Sequence, residues 1–141
     1  MEPTILLQSG HYFDLTRPSE SPIAISDIAR GLAMQCRFNG HTRNFYSVAQ
    51  HSVLVSEIVP EELALVGLMH DAAEAYIGDV VAPLKRLLPE LRRIEEAIEI
   101  AIAERFALPY PWPEAVKRAD IIALATEQRD LMPPHGDTWA C

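Results

Sequence analysis

The residues best suited to chemistry fall in one short stretch, Gly67-Leu-Met-His-Asp-Ala-Ala-Glu-Ala-Tyr-Ile-Gly-Asp79. His70, Asp71, Glu74 and Asp79 lie there among Leu, Met, Ala and Tyr, where a core helix is ordinarily apolar. At about 100° per residue, Glu74 falls one turn beyond both His70 and Asp71, so the three share one side of a helix. Leu63 and Val66 lead into that side from the preceding turns. An unpaired carboxylate or imidazole in an apolar interior is costly, so groups placed there need partners or a metal. His51 and Asp120 repeat the pattern on two other predicted helices. Two imidazoles and two carboxylates, His51, His70, Asp71 and Asp120, are a usual ligand set for a divalent ion of borderline hardness: Mn, Fe, Co, Ni or Zn. Four protein ligands on an octahedral ion leave two positions for water and a substrate oxygen. Glu74, one turn along, then stands beside the ligands, where it can orient or deprotonate a water.

Three helices must carry these groups. Ser47-Val-Ala-Gln50 fits a capping box and predicts a helix over 48–58, with Val48, His51, Val55 and Ile58 inward. His51 is the one polar member of that stripe. Pro60 opens a helix over 61–77, which Gly78 closes. The last helix spans 114–131, puts Val116, Asp120, Leu124 and Glu127 on one face, and stops at Pro133-Pro134. Between these, Gly78 to Pro83 reads as a turn and residues 83–88 as a short helix. Pro89 then opens a long helix over 90–106. Leu91, Ile94, Ile98, Ile102 and Phe106 face inward on it, and its charged face reads as solvated. Pro109, Pro111 and Pro113 form a stiff linker. Upstream, residues 1–24 read as mostly irregular, with a short extended piece at Thr4–Leu7 or His11–Leu15. Ser26 is the expected N-cap of a first helix, Asp27–Cys36, with Ile28, Leu32 and Cys36 inward. Residues 37–46 form a loop rich in aromatic and basic residues. No convincing strand alternation, internal repeat or low-complexity segment is present. The fold class predicted is all-α, five or six helices joined by short links.

A chain of 141 residues suits one domain, residues 1–141, with an irregular N-terminal segment (1–25) and a C-terminal tail (132–141). A hydrophobic content of 49% argues against disorder. The formal net charge of −8 argues against a nucleic-acid polymer as partner. It leaves room for a small anionic substrate, because a metal and a few Lys or Arg make a local positive pocket. No apolar run is long enough to span a bilayer, and Met-Glu-Pro-Thr-Ile lacks the basic start of a signal peptide. Cys36 and Cys141 make neither a disulfide framework nor a zinc spacing. The expected location is the cytoplasm. The close on Trp139-Ala-Cys141, with no polar tail, reads as a fragment of a longer chain.

Each of these residues alone has a plainer reading. His51 or His70 would be a core histidine satisfied by a backbone carbonyl. Asp120 would pair with Lys117 or Arg118. Glu74 and Asp79 would be charges at a helix end, and Asp79 equally a turn residue or an N-cap. Lys85 and Lys117 would be solvated surface lysines. His11, His41 and His135 read as surface histidines, and Trp112 and Trp139 as linker and tail packing. What shifts the balance is co-occurrence: three separate helices each carry an unexpected imidazole or carboxylate on the inward stripe.

Ser47-Val-Ala-Gln-His51-Ser, His70-Asp71, Glu74, Gly78-Asp79 and Lys117-Arg-Ala-Asp120, in that order, resemble the HD-domain phosphohydrolases. Within them the chain is similar to the 5′-deoxynucleotidase group and its phage relatives, the deoxyadenosine triphosphate triphosphohydrolases. The resemblance covers about residues 26–132. It implies an all-α fold, a metal held by His51, His70, Asp71 and Asp120, and catalytic assistance from Glu74 and Asp79. Arg37 matches the family's substrate-contacting arginine. Phe38 stands where the 5′-deoxynucleotidases often carry Trp, a departure that bears on sugar and base recognition. Lys85 and Lys117 match positions where relatives place phosphate-binding lysines, and Arg43 is a weaker candidate. An acidic protein needs such local cations to hold an anionic nucleotide.

The reaction so implied is hydrolysis of a deoxynucleotide. The ion polarises a phosphoryl oxygen and acidifies a water, Glu74 and Asp79 position that water and handle its proton, and Arg37, Lys85 and Lys117 neutralise the developing charge. Attack on a monophosphate releases phosphate and nucleoside. Attack at the α-phosphorus of a triphosphate releases tripolyphosphate and nucleoside, and two lysines plus an arginine leave room for the longer chain. Mg is admitted too, as a second ion arriving with the substrate. The partners expected are a small nucleotide and further copies of the chain, as a dimer or higher oligomer, with no membrane. The alternative is a non-catalytic helical module that binds a nucleotide or protein around a structural metal. Glu74 and Asp79 speak against it, since a structural ion needs neither.

Overall fold

The two segments that the sequence leaves as alternative extended pieces pair with each other. In the computed structural model, which describes residues 2–137, β1 (Thr4–Leu6) and β2 (Tyr12–Asp14) form an antiparallel hairpin with Ile5 opposite Phe13. Strands of three residues are too short to show an alternating pattern, which is why sequence reading found none. Phe13 is fully buried and stacks on Tyr76 with ring centroids 4.0 Å apart, pinning the hairpin to the helices.

The first helix, α1 (Ile25–Ala33), is shorter than expected and begins without a side-chain cap, so Ser26 lies inside it rather than capping it. Its end is set by the loop that follows. Gln35 O accepts from Val48 N–H at 3.0 Å, Arg37 N–H donates to Tyr46 O at 2.8 Å, and Cys36 bridges Ser47 in extended geometry. Those bonds claim residues 35–37 before the helix can continue. Ile28 and Leu32 face the core as predicted, whereas Cys36 belongs to the loop.

α2 (Val48–Ile58) has the predicted bounds and the predicted capping box: the Ser47 hydroxyl accepts from Gln50 N–H at 3.0 Å, and the Gln50 side chain accepts from Ser47 N–H at 2.8 Å. The helix expected over 61–77 is interrupted. A 3₁₀ turn (Glu61–Leu63) leads into α3 (Ala64–Met69), residues 70–73 are turn, and α4 (Glu74–Ile77) follows. The break has a local cause. The His70 ring donates from Nδ1 to Gly67 O at 2.7 Å, taking the carbonyl that a continuous α-helix offers to residue 71. Ala72 and Glu74 then bond three residues back, to Met69 O and Asp71 O, at 3.0 Å each. Gly78, at φ 88°, closes α4 as predicted.

α5 (Ala82–Lys85), α6 (Pro89–Phe106) and α7 (Glu114–Leu131) complete the order. On α6 the expected stripe is corrected: Ile98 and Ile102 are buried, but Ile94 is 40% exposed, while Glu95 and Glu99 are buried. Lys85 Nζ and Arg92 Nη1 each reach Glu95 at 2.8 Å, and Arg92 and the Tyr110 hydroxyl reach Glu99 at 3.1 and 2.9 Å. Part of the charged face is therefore a paired network turned inward, not solvated surface.

α2 lies at the centre, against α1, α3 and α7; α4 packs on α1 and α5 on α6. The α1–α4 contact is close enough to require glycine, since a Cβ on Gly31 would meet Ala75 Cβ at 2.9 Å. One apolar cluster gathers Phe13, Ile28, Leu32, Val48, Met69 and Ile98; a second gathers Val55, Val66, Val116 and Ala123. Along α2, His51 falls between Val48 of the first cluster and Val55 of the second. The fold is an all-α bundle with one small hairpin.

Candidate metal centre

The seam between the two clusters is polar. His51 on α2 is fully buried, and its Nε2 lies 2.8 Å from Asp120 Oδ1 and 3.4 Å from Asp71 Oδ2. His70 Nε2 lies 3.2 Å from Asp71 Oδ2 and 3.4 Å from Asp120 Oδ1. The ring centroids are 5.7 Å apart. One donor atom from each of His51, His70, Asp71 and Asp120 lies within 4.8 Å of all the others. α2, the turn after α3, and α7 thus bring together the four residues singled out as ligands.

The outer edge of each ring decides what its inner edge can do. His70 gives its Nδ1 proton to Gly67 O, and His51 faces Glu127 Oε2 from Nδ1 at 2.7 Å. The Nε2 atoms of both rings are therefore turned toward the two carboxylates, and each is a ligand atom whenever it carries no proton. His70 Nε2 is buried without a hydrogen-bond partner. Four electron-pair donors converging in this way need a proton or a cation between them, and imidazole with carboxylate is a donor set suited to divalent transition ions.

Electrostatics records the same tension. Burial opposes the charged form of His51, but hydrogen bonds to Asp120 and Glu127 outweigh it and hold the ring above the ordinary imidazole range. Burial likewise opposes charge on His70, and the Asp71 carboxylate more than compensates. Burial alone would raise Asp71 and Asp120, yet the two imidazoles hold both well below the usual carboxylate range. Glu74 goes the other way: burial, then the charges of Asp71 and Asp79, push it well above an ordinary glutamate. Its Oε1 is buried without a partner, while Gln35 Nε2 donates to its backbone carbonyl at 2.7 Å and ties α4 to the loop before α2.

The proposed substrate contacts divide. Arg37 is 14% exposed, feels the charges of Asp71 and Asp79, and bonds Glu127 Oε1 through Nη2 at 2.8 Å. Its guanidinium carbon sits 4.8 Å from the centroid of the Phe38 ring, and Phe38 and Asn39 both adopt left-handed backbone at φ 54°. Lys85 lies within the field of Glu74 and Asp71 but is already paired with Glu95. Lys117 is exposed on α7, one turn before Asp120. Arg43 binds the Leu131 and Met132 carbonyls at the end of α7. Asp79 is half-buried just after Gly78. His11, His41 and His135 are exposed, and Trp112 packs edge-on to Tyr110 with centroids 4.9 Å apart. Trp139 and Cys141 lie outside the described residues.

Glu127 is the residue that sequence reasoning missed. The sequence puts it on the inward face of α7, and its position two turns beyond Asp120 is the signal for a role there.

Comparison with known proteins gives this geometry a lineage. The family model described as 5′-deoxynucleotidase YfbR-like matches residues 40–127, a span that begins after Arg37 and Phe38 and includes His51, His70, Asp71, Glu74, Asp79, Lys85, Lys117, Asp120 and Glu127. The uncharacterized protein YfdR of Escherichia coli (strain K12) is 51% identical over 131 residues, covering 93% of this chain and 74% of the relative. An uncharacterized protein of Rhodobacter capsulatus is 38% identical over 121 residues, 79% of this chain and 62% of that relative, so part of its length has no counterpart in the alignment. With more than half of its residues matched by that family model, the chain belongs to the 5′-deoxynucleotidase YfbR-like family of HD-domain phosphohydrolases.

Proposed function

We propose that the chain hydrolyses deoxynucleoside 5′-monophosphates, releasing the nucleoside and phosphate. The observation that carries this reading is the convergence of the His51, His70, Asp71 and Asp120 donor atoms beside a buried, proton-seeking Glu74. Those four residues would hold a divalent ion of the Mn, Fe, Co, Ni or Zn type. Such an ion supplies Lewis acidity toward phosphoryl oxygen and acidifies water.

The chain's own residues do the rest. Arg37 presents a planar guanidinium to the phosphate, a fork suited to two of its oxygens. Glu74 takes the proton of the attacking water, and its raised proton affinity favours that transfer. Asp79 helps orient the same water. The water oxygen attacks phosphorus, the bond from phosphorus to the 5′ oxygen breaks, that oxygen takes a proton from solvent water, and Glu74 returns its proton to solvent. Phe38, whose ring lies 4.8 Å from the Arg37 guanidinium carbon, would contact the sugar or base.

Among the cations, Lys85 is paired to Glu95, which leaves less positive charge for a triphosphate than the sequence suggests. The monophosphate is therefore favoured over the triphosphate chemistry of the phage relatives. The reading also takes residues 1–141 as one domain, assembled as a homo-oligomer and working in the cytoplasm. Among the described residues no helix is long and apolar enough to cross a membrane.

The test is a panel of deoxynucleoside mono- and triphosphates incubated with Mn²⁺, Co²⁺ or Mg²⁺. Phosphate with nucleoside from monophosphates is expected. Tripolyphosphate with nucleoside would replace this substrate by the longer one. No release from any member, with metal bound, would make the protein a binding module.

A further inference from the structure

Glu127 is 1% exposed, and three donors from outside its own helix meet its carboxylate. Oε1 accepts from Arg37 Nη2 at 2.8 Å. Oε2 accepts from the Tyr46 hydroxyl at 2.7 Å and from His51 Nδ1 at 2.7 Å. A buried carboxylate is tolerated only when such donors surround it. Two of these three donors belong to the centre described above, one as a candidate ligand and one as the candidate phosphate contact.

We propose that Glu127 is a positioning residue that holds His51 in its Nδ1–H form and aims Arg37 at the substrate, so that one carboxylate sets the metal and phosphate contacts together. This inference rests on the reading of the centre as a metal-dependent phosphohydrolase site.

A neutral imidazole carries one N–H. An anionic acceptor at Nδ1 favours the form with the proton there and leaves the Nε2 lone pair facing Asp71 and Asp120. His70 is held the same way by a weaker, neutral acceptor, the Gly67 carbonyl. The carboxylate also makes the His51 ring a stronger electron donor than a carbonyl would. On its other oxygen Glu127 holds the guanidinium by one edge through a 2.8 Å hydrogen bond, while the Phe38 ring lies 4.8 Å from the guanidinium carbon, so Glu127 supplies the charged hydrogen bond that directs where that group points. Tyr46 occupies a further lone pair of Oε2 and keeps the carboxylate from swinging away from His51.

Glu127→Gln keeps the volume and can still accept one bond, but it loses the charge and places amide donors where an acceptor stood. Titration of the metal-free protein with Co²⁺ against a chelator should show affinity about 10–100-fold below wild type, the usual effect of losing such a partner. The visible absorption of bound Co²⁺ should change with it. At saturating metal, KM for a deoxynucleoside monophosphate should rise through the loosened Arg37, with a smaller change in kcat. A variant with wild-type Co²⁺ affinity and spectrum overturns the proposal. If the variant does not fold, the wild type decides: ¹⁵N NMR of the Zn²⁺-loaded protein should show His51 protonated at Nδ1 and ligated through Nε2, and the reverse overturns it. Metal affinity and ring protonation need no turnover. A protein whose metal binding depends on Glu127 but which hydrolyses nothing refutes the activity alone. An active protein whose Glu127→Gln variant binds metal normally refutes the role of Glu127 alone.

Discussion

Glu74 and Asp71 are three residues apart and carry opposite electrostatic fates. Two imidazoles stabilise the Asp71 charge, while Glu74 sees burial and two like charges. The proposed roles, ligand for Asp71 and proton acceptor for Glu74, follow these two environments. Glu74→Gln removes the base and keeps the shape, and because Glu74 gains little from being ionised, metal content and thermal stability should stay near wild type. The chemical step should slow by roughly 10²–10⁴ with little change in substrate affinity. Normal turnover would pass the proton to Asp79, and loss of metal would make Glu74 a ligand. The two lysines should separate as well. Lys85 is paired to a buried carboxylate, so Lys85→Ala should lower stability by about 1–3 kcal/mol in a denaturant titration, less than a fully buried pair because Arg92 remains on Glu95. Lys117 is exposed, and Lys117→Ala should leave stability within about 0.5 kcal/mol. A KM for triphosphates raised about tenfold or more in both variants would return the longer substrate to consideration.

At the scale of elements, the centre depends on how α2 and α4 are held. The capping box sets the first turn of α2, the turn that presents His51. Ser47→Ala should cost about 1 kcal/mol, read from the urea midpoint with the slope unchanged. α4 is positioned by its approach to α1 at Gly31. Gly31→Ala forces a methyl against Ala75 and should cost roughly 1–3 kcal/mol by overpacking. The double change Gly31→Ala with Ala75→Gly should recover part of that loss, because the two sites share one contact. A single variant as stable as wild type would mean that the helices separate without penalty.

For the whole molecule, metal and pH act as linked variables. In the metal-free protein His51 and His70 keep their protons to higher pH than a free imidazole. A raised folded-state pKa means this stabilisation is fully present below the unfolded imidazole value and is lost as pH rises through the folded one. Asp71 and Asp120, held low, contribute above the ordinary carboxylate value and lose their contribution as pH falls toward strong acid. Metal-free protein should therefore be most stable between those windows and weaken on the alkaline side. A cation competes with the imidazole protons, so its affinity and the Tm increment it gives should both grow as pH rises through neutrality. Calorimetry across that range with and without Mn²⁺ checks it, and a metal increment independent of pH would remove the histidines from the ligand set.

Parts of the fold whose causes are local can be read directly from the chain. The α2 capping box, the proline starts, Gly78 at φ 88° and the burial of Val116 and Glu127 on α7 all follow from residues within a turn or two of each other, whereas Ala119 and Ala123 fill the α7 face where Leu124 is expected. For the same reason the His51, His70, Asp71 and Asp120 positions could be named from periodicity. The break at residues 70–73 is the exception, a local bond from the His70 ring to the Gly67 carbonyl that helical periodicity does not register. Features that depend on a distant partner emerge only when the chain is packed. Glu95 and Glu99 turn inward because Lys85, Arg92 and Tyr110 meet them there. Glu127 gains its place only when residues 37, 46 and 51 arrive beside it, up to ninety positions away in the chain. A periodic pattern ranks a buried charge as an anomaly; only the folded chain supplies the opposite charge or hydrogen bond that makes burial stable.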